Sequence, residues 1–291
     1  MSTSFQIEYR QETDGVAVLT LDRPTSKVNL LDRPLWDDLH RALKALRVRP
    51  GVAGLVLASA KPGAFVAGAD LKWLGAVTQP NDPAVERAMR FGLDVLQLLE
   101  TLPFPTCAAI DGAALGGGLE VALACDFRVV TTAPHTRLGL PELSLGLIPG
   151  WGGTQRLTRL CHSVDTALTM LADGTILTSE ALLEANLADT LTDGDAVEEA
   201  IAVLHHSDRV PKRLAKAEAL PLVEQELLKD AILERGPTED PALRELYSVL
   251  VRGGSQPLRD ALPMETAAFC RLAGSEAAKT KIAAFFASRA K

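Results

Sequence analysis

The chain has 291 residues, of which 47% are hydrophobic and 23% charged, and a formal net charge of −7. That length allows one large domain or two modest ones around a sizeable core, and the balance predicts a soluble, folded globular protein. Net acidity gives no footprint for wrapping nucleic acid, and Asp111, Glu120 and Asp126 cut the apolar stretches before any reaches the roughly 20 residues of a membrane span.

The opening MSTSFQIEYRQETDG has neither a basic start nor an apolar signal core, and its Glu8 and Glu12 argue against an organelle transit peptide, so a cytoplasmic location is expected. GVAVLTLDRP reads as a strand closed by a proline turn. Trp36, Leu39, Leu43 and Leu46 then recur at helical spacing. GLVLAS at 54–59 has the composition of a buried strand and is closed by AKPGAF. A second helical face follows Pro83, carrying Val85, Met89, Leu93, Leu96 and Leu99. PTCAAI is another strand, followed by a glycine run, a helix to about Ala124, and the strand-like DFRVVT and TRLGL. Such alternation indicates an α/β architecture. After Asp193 the character changes. DAVEEAIAVLHH, PLVEQELLKDAILE, PALRELYSVLVR and SEAAKTKIAAFFASRA are helical patterns with no convincing strand among them, which divides the chain into a core at 1–193 and a helical region at 194–291. The cysteines at 107, 125, 161 and 270 form no C-x-x-C pair and share no metal-ligand spacing with histidine, so they read as small buried hydrophobes; no metal is expected. His205 and His206 read as surface residues.

Gly116, Gly117 and Gly118 run directly into Leu119 and Glu120, although glycine costs a helix interior about 1 kcal/mol relative to alanine. Two physical readings remain open. The glycines allow a strand and a helix to pack closely, or they leave bare N–H groups at the positive end of a helix dipole for a phosphate or a developing oxyanion. Neither G-x-x-x-x-G-K-[ST] nor G-x-G-x-x-G is present, which disfavours nucleotide phosphate. An oxyanion role needs a second donor and a group that moves protons. Glu120 lies one helical turn beyond Gly117, Glu142 follows a strand and a proline, and GAFVAGADLKWL offers a glycine turn after a strand; Asp70 within it also reads as a simple helix cap.

In order and spacing, LDRPTSKVNLL, GAFVAGADLKWL, IDGAALGGGLEVALACDFRV and RLGLPELSLGLIPGWGGTQRLTRL resemble the crotonase (enoyl-CoA hydratase/isomerase) superfamily over about residues 5 to 193. They look most like the hydratase part of multifunctional fatty-acid-oxidation proteins. The resemblance implies a crotonase-type spiral of β-β-α turns, a helical C-terminal region, homotrimers or homohexamers, and acyl-CoA thioesters as ligands, with no cofactor beyond the coenzyme A of the substrate. Carried over by motif, Ala69 and Gly117 would donate N–H groups to the thioester oxygen, and Glu120 and Glu142 would be the hydratase carboxylates. Ala67, Gly68, Asp70 and Leu71 would border the adenine, Lys27 would approach a coenzyme A phosphate, and Val28, Gly116, Pro141 and Gly150 would also bind the acyl-CoA. The implied activity is reversible hydration of 2-enoyl-CoA, with 3-enoyl to 2-enoyl-CoA isomerisation or a non-catalytic acyl-CoA-binding subunit as alternatives. VVTTAPHTRLGL is a longer hairpin than is usual there. The tail PMETAAFCRLAGSEAAKTKIAAFF resembles the linker helix that precedes a dehydrogenase domain, which implies either a separate dehydrogenase partner or a tail that covers its own site, in a role of stability and assembly.

Overall fold

A computed structural model describes residues 15–23, 26–205 and 216–289, and the backbone alone of 6–11; His206 lies outside them. Five long strands, β1 (Gln6–Gln11), β2 (Val16–Asp22), β3 (Gly54–Ser59), β5 (Thr106–Ile110) and β7 (Phe127–Thr131), form a sheet in the order β1-β2-β3-β5-β7, with β9 (Thr190–Thr192) at its edge. β1 and β2 pair antiparallel; every other pair is parallel. Parallel strands are buried on both faces, which is why GLVLAS and TCAAI read as unbroken apolar runs. The side chains nevertheless alternate: Leu55, Leu57, Ala108 and Ile110 enter the main core, while Val56, Ala58, Cys107 and Ala109 meet α8 (Ala196–His205) on the other face.

Each of β3, β5 and β7 turns directly into a three-residue strand, β4 (Ala64–Val66), β6 (Ala113–Leu115) or β8 (Arg137–Gly139), and these make a second, parallel sheet in the order β4-β6-β8. Every turn of the chain thus supplies one strand to each sheet and then a helix, giving the β-β-α spiral. The helices that follow are α2 (Leu71–Gly75) and α3 (Pro83–Glu100) after β4, α4 (Gly117–Ala124) after β6, and a 3-10 turn (Glu142–Leu145) with α5 (Gly153–Leu160) after β8. β1, β4, β6 and β9 are strands that the sequence pattern does not signal, because three residues are too few to display alternation and β1 is mostly polar.

Helix starts follow local chemistry. Asp32 accepts from the Leu35 N–H at the start of α1 (Arg33–Arg47), and Asp82 accepts from the Ala84 N–H with Pro83 opening α3. All five apolar residues expected on the face of α3 are buried. After α6 (Val164–Ala172) and α7 (Ser179–Glu184), the described residues beyond Thr192 are helical: α8, α9 (Leu222–Glu234), α10 (Pro241–Gly254), α11 (Leu258–Leu272) and α12 (Glu276–Arg289). α9 keeps its apolar pattern but buries only Leu228, leaving Leu222, Val223 and Leu233 more than two-thirds exposed. α11 returns to α3 and α5, and α12 lies across α2 and the 3-10 turn. Cys107, Cys125 and Cys270 are buried and Cys161 is half-buried, all as free thiols.

The packing reading of the glycine run holds for Gly118. A Cβ built there would stand 2.0 Å from the Val66 carbonyl oxygen on β4, a backbone atom that cannot yield. Gly118→Ala is therefore expected to destabilise by at least the roughly 1–3 kcal/mol typical of overpacking. Gly194→Ala, whose Cβ would meet nothing closer than 3.5 Å, should stay within about 0.5 kcal/mol of the parent. Urea unfolding midpoints compare the two, and equal midpoints would refute the packing role.

Candidate active site

Gly116 stands at φ 54° and ψ −127°, outside the range of ordinary L-residues, and makes no side-chain cap. The chain reverses there so sharply that the Leu119 and Glu120 N–H groups return to the Gly116 carbonyl at 2.8 and 3.1 Å. Among the described residues, no acceptor meets the Gly117 N–H. The AGADL segment lies beside it: a Cβ on Gly68 would stand 3.0 Å from the Leu115 carbonyl oxygen and 3.9 Å from the Gly117 nitrogen. The Gly68 carbonyl accepts from the Leu31 N–H, and in a trans peptide the Ala69 N–H points the opposite way; it too has no acceptor among the described residues. Two free donors, Ala69 and Gly117, are thereby carried by adjoining segments.

Glu120 projects from the first turn of α4 and is 1% exposed. Its Oε1 accepts from the Trp151 and Gly153 N–H groups, both at 2.7 Å. Glu142 opens the 3-10 turn, half-buried as a residue; its Oε1 would lie 2.8 Å from a Cβ on Gly116, and its Oε2 is sealed from solvent without a hydrogen-bond partner. Burial pushes both carboxyls up, Glu142 to about 8. The charge of Glu265 adds to each, Glu142 also acts on Glu120, and the Gly153 and Trp151 N–H groups partly offset the rise at Glu120. A buried carboxyl oxygen with no partner beside two free N–H donors is a place prepared for polar atoms of a ligand.

The far end of α4 is held by cations. Lys216 Nζ donates to the Leu123 carbonyl at 2.7 Å and, more loosely, to those of Ala124 and Cys125, while Arg128 donates to the Cys125 carbonyl at 3.2 Å and pairs with Asp189. Positive charge at a helix C-terminus satisfies its open carbonyls and opposes the dipole. Lys216 and Arg156 both pair with Glu100. Burial alone would raise Glu100, but these two cations hold it at about 2.

The remaining expected site residues lie on several segments. Asn29 is fully buried and its amide donates to the Leu21 and Phe65 carbonyls and the Ser59 hydroxyl, so it ties the LDRPTSKVNLL segment to β4. Ala67 N–H donates to the Asn29 carbonyl at 2.9 Å. Lys27 is exposed, and Val28 and Leu71 are partly so. Asp70 caps α2, accepting from the Lys72 N–H at 2.9 Å, as the plain structural reading requires. Pro141 precedes the 3-10 turn. Gly150 is buried against Met89 and Phe269, one residue before the turn that grips Glu120.

This constellation can be compared with known proteins. The family profile described as enoyl-CoA hydratase/isomerase matches residues 11–218. The chain belongs to that family. Among solved structures, it resembles an enoyl-CoA hydratase from Bacillus anthracis at 28% identity, covering 97% of this chain and 96% of that one with a TM-score of 0.63. It resembles Pseudomonas aeruginosa DspI at 27% identity over 80% and 92% of the two chains, with a TM-score of 0.63. An enoyl-CoA hydratase/isomerase from Mycobacterium paratuberculosis, 21% identical over 98% and 99% with a TM-score of 0.70, shares the fold.

Beside Glu120 and Glu142 stands a third buried carboxyl, Glu265 of α11, which the sequence reading did not single out. Its position carried a signal: Glu265 follows Leu258 and Leu262 and precedes Phe269 on one helical face, so a charge sits where the pattern demands an apolar residue. It is 0% exposed, and burial raises its carboxyl to about 7. For Glu142 the folded-state pKa lies above the ordinary 4.5, so its contribution to stability is complete below about 4.5 and is lost as pH rises through about 8. Glu142→Gln removes this dependence. Melting curves between those limits should show the parent losing stability relative to Glu142→Gln as pH rises, and parallel curves would contradict the assignment.

Proposed function

We propose that the protein is an enoyl-CoA hydratase that adds water reversibly across the 2,3 double bond of 2-enoyl-CoA thioesters, in fatty-acid β-oxidation. The observation that carries this reading is the pairing of two buried carboxyls, Glu120 and Glu142, with the uncapped N-terminus of α4. Membership of the family and the names of its solved relatives support it.

In this reading the Ala69 and Gly117 N–H groups take the thioester oxygen, where negative charge collects as the enolate forms; one such donor is worth roughly 3–4 kcal/mol of barrier. Glu120 has one oxygen occupied by two backbone donors and the other left to accept a proton from water, whose hydroxyl bonds to C3. Glu142 delivers a proton to C2. A raised pKa suits both tasks near neutral pH, because it strengthens the ionised base and keeps the acid protonated. The reverse reaction exchanges the two roles. Coenzyme A would lie along Lys27, Val28, Ala67, Gly68, Asp70 and Leu71, with the acyl part toward Gly116, Pro141 and Gly150. The exposed apolar residues of α9 are consistent with assembly into a homotrimer or homohexamer.

Isomerisation needs a single carboxylate to shuttle a proton, and a binding scaffold needs none; the retention of both acids favours hydration. Glu120→Gln and Glu142→Gln should each lower 2-enoyl-CoA hydration by about a hundredfold to ten-thousandfold with little change in acyl-CoA affinity. The double variant should fall well short of the product of the two losses, since both groups act on one water. Loss of the conjugated thioester absorbance follows hydration. Full activity in either folded variant would reject the assignment, and a parent that isomerises 3-enoyl-CoA but does not hydrate would select the isomerase.

A further inference from the structure

The turn from Gly150 to Thr154 is gripped from two sides. Its successive N–H groups alternate: those of Trp151 and Gly153 point to Glu120 Oε1, and those of Gly152 and Thr154 point to the two oxygens of Glu265. The Thr154 hydroxyl donates to Glu265 as well, and the neighbouring Thr266 hydroxyl donates to the Gly150 carbonyl at 2.8 Å. Glu265 therefore uses three donors and is fully buried, yet it stands on α11, more than a hundred residues along the chain from the turn it holds.

We propose that Glu265 is a positioning residue for Glu120, fixing the turn whose alternate N–H groups hold the Glu120 carboxylate. The inference rests on the hydratase reading above. Its physical basis is that Gly152, at φ 104°, and Gly153 give the turn little intrinsic rigidity, so the orientation of the Trp151 and Gly153 N–H groups must be imposed from outside. A carboxylate accepting from positions 152 and 154 does this, because pinning the peptide units on either side of the one that carries the Gly153 N–H limits how far that unit can turn. Among the described residues, the Trp151 and Gly153 N–H groups are the hydrogen-bond donors that hold Glu120 Oε1.

Glu265 also acts on Glu120 as a like charge. The charged groups around it are Glu120 from α4, Glu142 from the 3-10 turn, and Arg156 and Arg159 from α5, with Glu100 of α3 behind Arg156; the buried face of α10 offers apolar residues and glycine. Glu265→Gln preserves shape but has a single acceptor oxygen, and its amide NH2 would face a backbone donor.

The test is steady-state hydration of crotonyl-CoA by the parent and Glu265→Gln across pH. For Glu265→Gln, kcat should fall roughly tenfold to a hundredfold, the scale on which small misplacement of a reacting group acts, with KM changed by less than about twofold. The acidic limb of the kcat profile should move to lower pH, because removing a like charge lets Glu120 ionise more readily. A role confined to stability would lower the melting temperature and leave the limb in place. If Glu265→Gln does not fold, Thr154→Val decides: it removes only the hydroxyl donor, and a reduced kcat at unchanged KM supports the proposal, whereas the parent's kcat overturns it. A parent that hydrates while folded Glu265→Gln retains its kcat and pH profile overturns the positioning role alone. A parent that hydrates no 2-enoyl-CoA overturns the hydratase reading and this inference with it.

Discussion

The structure is organised around one constraint, a helix of eight residues that is buried along its whole length while its N-terminus carries no cap. Burying open helix N–H groups is costly unless something meets them, so the surroundings of α4 are built to hold it in place while leaving Gly117 free. Gly118 lets α4 lie directly on β4, and Gly116 turns the chain in a conformation that other residues avoid. At the other end, Lys216 and Arg128 satisfy the last carbonyls and oppose the dipole. The cations themselves are buried and require Glu100 and Asp189.

From this follows the placement of three carboxyls in an apolar interior. Each is tolerated because backbone or hydroxyl donors, or a neighbouring charge of opposite sign, offset part of the loss of water. Glu120 and Glu265 share the donors of a single turn, and Glu142 keeps one sealed oxygen without a partner. Three such groups cannot all be ionised at low cost, because burial and the charge of one carboxylate disfavour ionisation of its neighbour. In the proposed hydratase, exchange of protons with water and carbon would gain from that arrangement.

The C-terminal helices belong to this economy of charge as much as to the core. α11 contributes Glu265, Thr266 and Phe269 to the turn beneath Glu120, and α12 lies across α2 and the 3-10 turn, joining the AGADL segment to Glu142. Lys281 from α12 donates to the Leu143 carbonyl in that turn. The chain's own tail thus packs on the 3-10 turn that carries Glu142 and on the turn that holds the Glu120 carboxylate.

Much of this was legible in the order of residues. The buried parallel strands, the amphipathic helices α1 and α3, the glycine run, and the candidate pair Glu120 and Glu142 all announce themselves through local composition and spacing, because each depends on interactions within a few residues of chain. The three-residue strands β4, β6 and β9 did not, since three residues carry no period. Neither did Asn29 or Lys216: a lone asparagine or lysine has no distinguishing neighbours, and its meaning depends on backbone groups that are remote in sequence; Glu265 is marked only as a charge on an apolar helical face, which does not say what it holds. The packing role of the glycines also emerged only in three dimensions, at Gly118 against Val66, while the turn at Gly116 leaves the Gly117 N–H without an acceptor among the described residues. Sequence by itself determined which groups were available for chemistry; tertiary structure decided which backbone donors face which carboxylate, because that is set by packing between segments more than a hundred residues apart.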